Sequence, residues 1–212
     1  MKKLHDVINH HWQKLFILSA LTFILVTNFE PFPFSGVIKI IPIISLIAFS
    51  ALQAKSLIPR LFIVGLLFSM LGDFILDLQG QGWFLYGLGA FFIAHVFYIL
   101  CLSKWQFDRK AVFVVLILSV YAASMLYLLL PHLGELKIPV IAYLLILFVM
   151  CLCSIFSIRS NVWMKVGGIS FLVSDSILGL NMFYAPIPLS PILIMSTYYL
   201  AQYSLVRGFS QH

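Results

Sequence analysis

Residues 64–78 read V-G-L-L-F-S-M-L-G-D-F-I-L-D-L, and residues 166–180 read V-G-G-I-S-F-L-V-S-D-S-I-L-G-L. Both are apolar almost throughout. The first nevertheless carries Asp73 and Asp77 one helical turn apart, and the second sets Asp175 at the position matching Asp73. An Asp or Lys at the centre of a membrane helix costs about 2.5–3.5 kcal/mol on insertion scales. The question is what solvent surrounds these runs, and what the carboxylates do there.

Composition answers the first part. Of the 212 residues, 62% are hydrophobic and 9% are charged, with a mean hydropathy of +1.07. A soluble domain is about 45–50% apolar and about 25% charged. One small globule cannot bury this much apolar surface, so lipid is the solvent for most of the chain. A spanning helix needs about 20 apolar residues, and eight runs qualify, at roughly 12–29, 36–53, 61–78, 83–102, 110–130, 138–156, 162–181 and 190–207. Pro, Gly or charge breaks the chain between them, as in E-P-F-P-F-S-G, Q-A-K-S-L-I-P-R and A-P-I-P-L-S-P. No long linker or low-complexity tract intervenes. The predicted fold is therefore an all-α integral membrane protein, a bundle of eight transmembrane helices forming one domain over residues 1–212. Lys2 and Lys3 precede the first run, but V-T-N-F-E-P offers no small-x-small cleavage site, so that run is read as a retained helix.

The net charge of +6 comes from residues dispersed between apolar segments, which argues for topology signals and against nucleic-acid binding. With the N-terminus inside, Lys2, Lys3, Lys14, Lys55, Arg60, Lys104, Arg109, Lys110, Arg159, Lys165 and Arg207 all fall on the inner side. Lys137 falls outside and Lys39 lies within a span. This bias predicts an N-in, C-in arrangement. Cys101, Cys151 and Cys153 lie in or beside apolar runs, with no disulfide framework and no zinc spacing, and read as packing residues. Trp83, Tyr86, Phe183 and Tyr184 suit an interfacial aromatic belt.

Five ionisable side chains fall within spans: Lys39, Asp73, Asp77, His95 and Asp175. At about 1.5 Å per residue, Asp73 and Asp175 both lie about 18–19 Å from the inner ends of helices 3 and 7, and Tyr198 comes to nearly the same level. His95 and Gln202 sit roughly a turn deeper, about 18 Å below the outer surface, while Lys39 and Asp77 lie about 3–6 Å from it. This gives an outer layer pairing Lys39 with Asp77 and including Asn181, a middle layer of Asp73, Asp175 and Tyr198, and a deeper layer of His95 and Gln202. Gly65, Ser69, Asp73 and Asp77 recur every four residues as one small-polar stripe, and Gly168, Asp175 and Gly179 share a face of helix 7. Small residues there let helices approach closely, here read as helices 3 and 7. A structural reading stands beside each functional one: a buried His is often a hydrogen-bonded packing residue, and a Lys near the interface can snorkel.

Residues 64–78 and 166–180 match in Val, Gly, Asp, Ile, Leu and Leu at equal offsets. Four spans separate them and both run the same way, which predicts a parallel 4+4 repeat. K-I-I-P at 39–42 and K-I-P at 137–139 form a weaker echo.

The ordered set G-L-L-F-S-M-L-G-D-F-I-L, G-A-F-F-I-A-H-V-F-Y-I, I-P-V-I-A-Y, G-G-I-S-F-L-V-S-D-S-I-L and Y-Y-L-A-Q-Y resembles the lysoplasmalogenase (YhhN-like) family of membrane proteins, from about Lys39 to Val206. The resemblance implies an eight-helix hydrolase that cleaves the vinyl ether bond of lysoplasmalogens to a fatty aldehyde and glycerophosphocholine or glycerophosphoethanolamine. It maps the family's two aspartates onto Asp73 and Asp175. One departure is that the Lys and Pro expected side by side in helix 2 are separated here as Lys39-Ile40-Ile41-Pro42.

That reaction wants one protonated acid and one ionised carboxylate near the same atoms, as in glycoside hydrolysis through an oxocarbenium-like transition state. Two close carboxyl groups in a low dielectric supply it, because both cannot ionise. Asp73 and Asp175 are the catalytic candidates, in either order of roles. His95, Tyr198 and Gln202 are supporting candidates. Lys39, with Asp77 and Asn181 in the outer layer, is the candidate for the substrate phosphate. No metal and no cofactor is expected. The expected partners are a lysophospholipid and the bilayer, and the expected location is multi-pass in a membrane, the inner membrane if the cell is bacterial. Taken without the resemblance, intramembrane carboxylates and a His suit a proton-coupled transporter or channel equally well. An intramembrane aspartyl protease ranks below both, since no convincing Pro-Ala-Leu element lies near the C-terminus.

Overall fold

In lipid no water is available to hydrogen-bond an exposed backbone, so an apolar chain must pair every N–H and C=O internally, and the α-helix does so within one segment. The computed structural model describes residues 2–29, 32–53, 58–78, 82–106 and 109–211. Among these, eight α-helices follow in order: α1 Lys2–Val26, α2 Ser35–Gln53, α3 Arg60–Leu76, α4 Trp83–Leu102, α5 Arg109–Leu129, α6 Lys137–Phe156, α7 Val162–Gly179 and α8 Ser190–Phe209. No strand occurs among the described residues; an isolated backbone bridge joins Trp105 and Ser157. Each predicted run holds one helix. Lys55 and the break residues 30–31, 54–57, 79–81 and 107–108 lie outside the described residues.

Six of the helical segments are long and apolar enough to cross a membrane: His11–Phe29, Ser35–Gln53, Trp83–Leu102, Val112–His132, Gly134–Phe156 and Val162–Tyr184. At 17 residues, α3 is shorter than these. The last helix, α8, dilutes its apolar face with Ser190, Ser196, Thr197, Gln202, Ser204 and Arg207. Outward-facing side chains are large and apolar, including Leu18, Val112, Phe113, Val120 and Leu145. That surface suits lipid, and the protein is an all-α membrane protein.

The chain divides into two compact units near the end of α4. The first comprises Met1–Cys101 with Phe209–His212, and the second comprises Leu102–Gly208. Lipid supplies little hydrophobic drive between helices, so close packing of small residues does much of the work.

In the first unit, α2 packs against both α1 and α3. Trp12 stacks on Phe49 at 4.2 Å between ring centroids, and Phe62 meets Tyr98 at 4.9 Å. The α3–α4 seam is built on glycines. A Cβ at Gly65 would stand 2.4 Å from Tyr98 Cε1, one at Gly72 would stand 2.6 Å from Phe91 Cδ2, and one at Gly87 would stand 2.5 Å from Leu76 Cδ2.

In the second unit, α6 packs against α5 and α7. Gly168 of α7 lies on Ser154 of α6, where an added Cβ would meet Ser154 Oγ at 1.9 Å, and Gly167 lies on Leu205 of α8. At one end of this unit the loop after α4 pairs with the loop after α6: Gln106 N–H donates to Phe156 O at 2.8 Å and Ile158 N–H donates to Lys104 O at 2.7 Å. Asn161 caps α7 there, its Oδ1 accepting from Met164 N–H and its Nδ2 donating to Gly208 O of α8, both at 3.0 Å. At the other end His132 packs edge-on against Tyr184, with ring centroids 5.5 Å apart.

Candidate active site

Asp73 is 3% exposed on the inward face of α3, together with Gly65, Ser69 and Gly72. The four-residue stripe seen in the sequence is thus a buried face as far as Asp73. One turn earlier, Ser69 Oγ lies 3.0 Å from Tyr98 Oη of α4. Gly72 seats the Phe91 ring, and the Phe91 carbonyl accepts a hydrogen bond from His95 Nδ1 at 2.7 Å. A carbonyl only accepts, so Nδ1 carries the proton of this hydrogen bond. His95 is fully buried, and its ring stands edge-on to Tyr98 with centroids 6.1 Å apart. Gly65 and Gly72 thus seat Tyr98 and Phe91, the aromatic rings that flank His95 along α4, and Asp73 follows Gly72 on the buried face of α3.

Asp77 differs from the expectation that it lies inside a span. The α-helix ends at Leu76, and Asp77 is its C-cap at φ −83°, ψ −13°. Its Oδ2 accepts from Ser35 Oγ at 2.6 Å, and a Cβ at Gly36 would stand 2.8 Å from the same oxygen. The carboxylate thus sits on the first residues of α2, where backbone N–H groups and the helix dipole favour negative charge. Lys39 is half-buried one turn along α2 from Ser35, on the same face. The spacing pairs Asp77 with Lys39, and the structure gives it Ser35 as a hydrogen-bond partner.

In the second unit, Asp175 is half-buried on α7 and accepts a hydrogen bond at Oδ2 from Tyr143 Oη of α6. Gly168, two turns earlier, packs on the same helix α6. Tyr198 and Gln202 of α8 are both buried and bonded to each other, Gln202 Nε2 donating to Tyr198 Oη at 3.2 Å. The Tyr198 ring meets Phe171, one turn before Asp175, edge-on at 5.5 Å. After α7 the chain continues as a π-helical turn, Leu180–Tyr184, a geometry frequent at functional sites. Asn181 in that turn accepts from Ile187 N–H at 2.9 Å and so fastens the loop leading to α8.

The sequence reading used the small residues to bring helices 3 and 7 together. The structure places Gly65 and Gly72 against α4, Gly168 against α6 and Gly167 against α8, each within its own unit. It also adds Tyr143, Tyr98 and Ser35, uncharged side chains that bond Asp175, Ser69 and Asp77. Tyr143 closes the I-P-V-I-A-Y motif, the one signal that marked it.

These features define a helical membrane protein in which the third helix of each half, α3 and α7, carries an aspartate. The chain belongs to the YhhN family, whose model matches residues 34–209. It is similar to the lysoplasmalogenase of Mycobacterium bovis, 32% identical over 157 residues that cover 71% of this chain and 60% of that protein. It is 33% identical to lysoplasmalogenase TMEM86A of Homo sapiens over 182 residues, 79% of this chain and 75% of the relative. With lysoplasmalogenase TMEM86B of Sus scrofa it shares 31% over 201 residues, 92% of this chain and 84% of the relative. The chain spans about 60% of the length of the mycobacterial relatives it matches. No solved structure matches it.

Proposed function

We propose that this chain is a lysoplasmalogen hydrolase, cleaving the vinyl ether bond of an alkenyl glycerophospholipid to a fatty aldehyde and a glycerophospho-alcohol. The observation that carries the reading is the twofold recurrence of an aspartate in one context: Asp73 on the buried glycine-serine face of α3, and Asp175 two turns from Gly168 on α7. The relatives named lysoplasmalogenase support it.

In this reading the two aspartates divide the proton transfers. One carboxylic acid delivers its proton to the vinyl carbon, leaving an oxocarbenium ion. Water adds at the carbon bonded to oxygen, and the second aspartate, ionised, takes the water proton. The hemiacetal then collapses: the second aspartate returns its proton to the leaving oxygen, and the first takes the hydroxyl proton. Aldehyde and alcohol depart, and both side chains regain their starting states. General acid–base help of this kind contributes typically about 10²–10⁴-fold. His95 and the Tyr198–Gln202 pair support the aspartates, and Lys39 meets the substrate phosphate as a point charge.

The same proposal takes the chain as one membrane domain with eight spans, N-terminus and C-terminus on the inner side, in the inner membrane if the cell is bacterial. The experiment is lipid mass spectrometry on the purified wild type, with the Asp73→Asn/Asp175→Asn double variant as control. The reading expects lysoplasmalogen to be consumed with equimolar aldehyde by the wild type alone. Consumption by the double variant at the wild-type rate, or no turnover by the wild type, overturns it.

A further inference from the structure

Two contacts tie α6 to α7 along one antiparallel seam. At one rung Gly168 lets Ser154 press against the α7 backbone, with Cys151 Cα 3.4 Å from where a Cβ would stand. At the other, seven residues further along α7, Tyr143 Oη donates to Asp175 Oδ2. Tyr143 is 7% exposed, and it shares its face of α6 with Leu147, Met150 and Ser154, all buried. The phenol is therefore held by its own helix, and the glycine rung sets the distance at which it meets Asp175. A tyrosine has two side-chain torsions, so little freedom remains once its ring is packed.

We propose that Tyr143 is the positioning residue of the hydrolysis, orienting Asp175 as the proton acceptor and so leaving Asp73 as the acid. The inference rests on the reading of the protein as a lysoplasmalogen hydrolase. The phenol donates and the carboxyl oxygen accepts, which fixes one side of Asp175 and favours its ionised form. In the cycle above, Asp73 then protonates the vinyl carbon, and Asp175 takes the proton of the attacking water. Asp175 later gives that proton to the leaving oxygen while Asp73 recovers one from the hemiacetal hydroxyl. A misplaced general base costs on the order of 10²-fold in rate even when substrate still binds.

The test is Tyr143→Phe in the full-length protein in detergent micelles, with lysoplasmalogen as substrate. Phe keeps the ring and its packing and removes the hydroxyl alone. The expected result is a kcat lower by roughly 10²-fold, a KM within about twofold and an unfolding midpoint within a few degrees. The acidic limb of the pH–rate profile, which reports the group that must be ionised, moves, and the basic limb stays. In the Asp175→Asn background Tyr143→Phe adds no further loss, because both act through one carboxyl group. Wild-type kinetics in Tyr143→Phe, a displaced basic limb in place of the acidic one, or a full additional loss in the Asp175→Asn background overturns the proposal. No turnover by the wild type removes the reading on which the proposal rests, and the proposal with it; full activity in Tyr143→Phe beside an active wild type removes the positioning role alone.

Discussion

Ser35 Oγ donates to Asp77 Oδ2 at 2.6 Å, fastening the first residue of α2 to the C-cap of α3. A hydrogen bond to a charged group contributes about 1.5–3 kcal/mol, and a carboxylate at a helix N-terminus adds a few tenths to about 1 kcal/mol. Asp77 is half-exposed, so the lower end applies. Ser35→Ala and Asp77→Asn are expected to lower stability by about 1–2 kcal/mol, read as a drop in the thermal unfolding midpoint. Per folded molecule, turnover is retained within a few-fold. A loss of turnover as deep as that of Asp73→Asn, with stability intact, would move Asp77 from anchor to catalyst.

Gly168 has no room for a side chain. An added Cβ would meet Ser154 Oγ at 1.9 Å and Ser154 Cβ at 2.7 Å, whereas Cys151 Cα at 3.4 Å is an ordinary contact. Overpacking of this kind costs about 1–3 kcal/mol. Gly168→Ala is expected to destabilise by that amount, and Ser154→Gly to recover part of it. Ser154→Ala recovers less, because it leaves the Cβ in place. Thermal unfolding of the three variants and their doubles measures the coupling.

Asn161 closes both ends of a short connection: Oδ1 caps α7 through Met164 N–H, and Nδ2 holds Gly208 O of α8. Replacing an N-cap by Ala costs about 0.5–2 kcal/mol. Asn161→Ala is expected near the upper end, since it loses both bonds, and Asn161→Ser near the lower end, since its hydroxyl keeps the cap. Equal destabilisation by the two substitutions would contradict the double role.

The loop pairing of Trp105 with Ser157 puts the connections after α4 and α6 at one end of their unit. In the proposed arrangement of eight spans with the N-terminus inside, those loops lie inside, and Gly134 and Pro186 lie outside. After replacement of Cys101, Cys151 and Cys153, single cysteines at positions 159 and 186 are expected to react oppositely with a membrane-impermeant thiol reagent in intact cells. Labelling of position 159 but not of 186 would invert the orientation, and equal labelling would break the alternation.

The helices were legible because each answers a constraint local to the sequence: apolar runs of spanning length, separated by Pro, Gly or charge. The burial of Asp73 was legible too, since Gly65 and Ser69 at four-residue spacing mark a close-packed face. Tyr143 was not. A tyrosine in an apolar helix carries no charge to stand out, and its bond to Asp175 joins residues 32 positions apart on neighbouring helices. Ser35 escaped for the same reason, and spacing alone did not say which neighbour each glycine would meet.

The central claim is that Asp73 and Asp175 each move a proton in vinyl ether hydrolysis. The most direct measurement is aldehyde release from lysoplasmalogen by purified Asp73→Asn and Asp175→Asn, each checked for helical content and unfolding midpoint. The account predicts a loss of at least roughly 10²-fold in kcat in both variants with the fold retained. Aldehyde release at near the wild-type rate by either folded variant would contradict it.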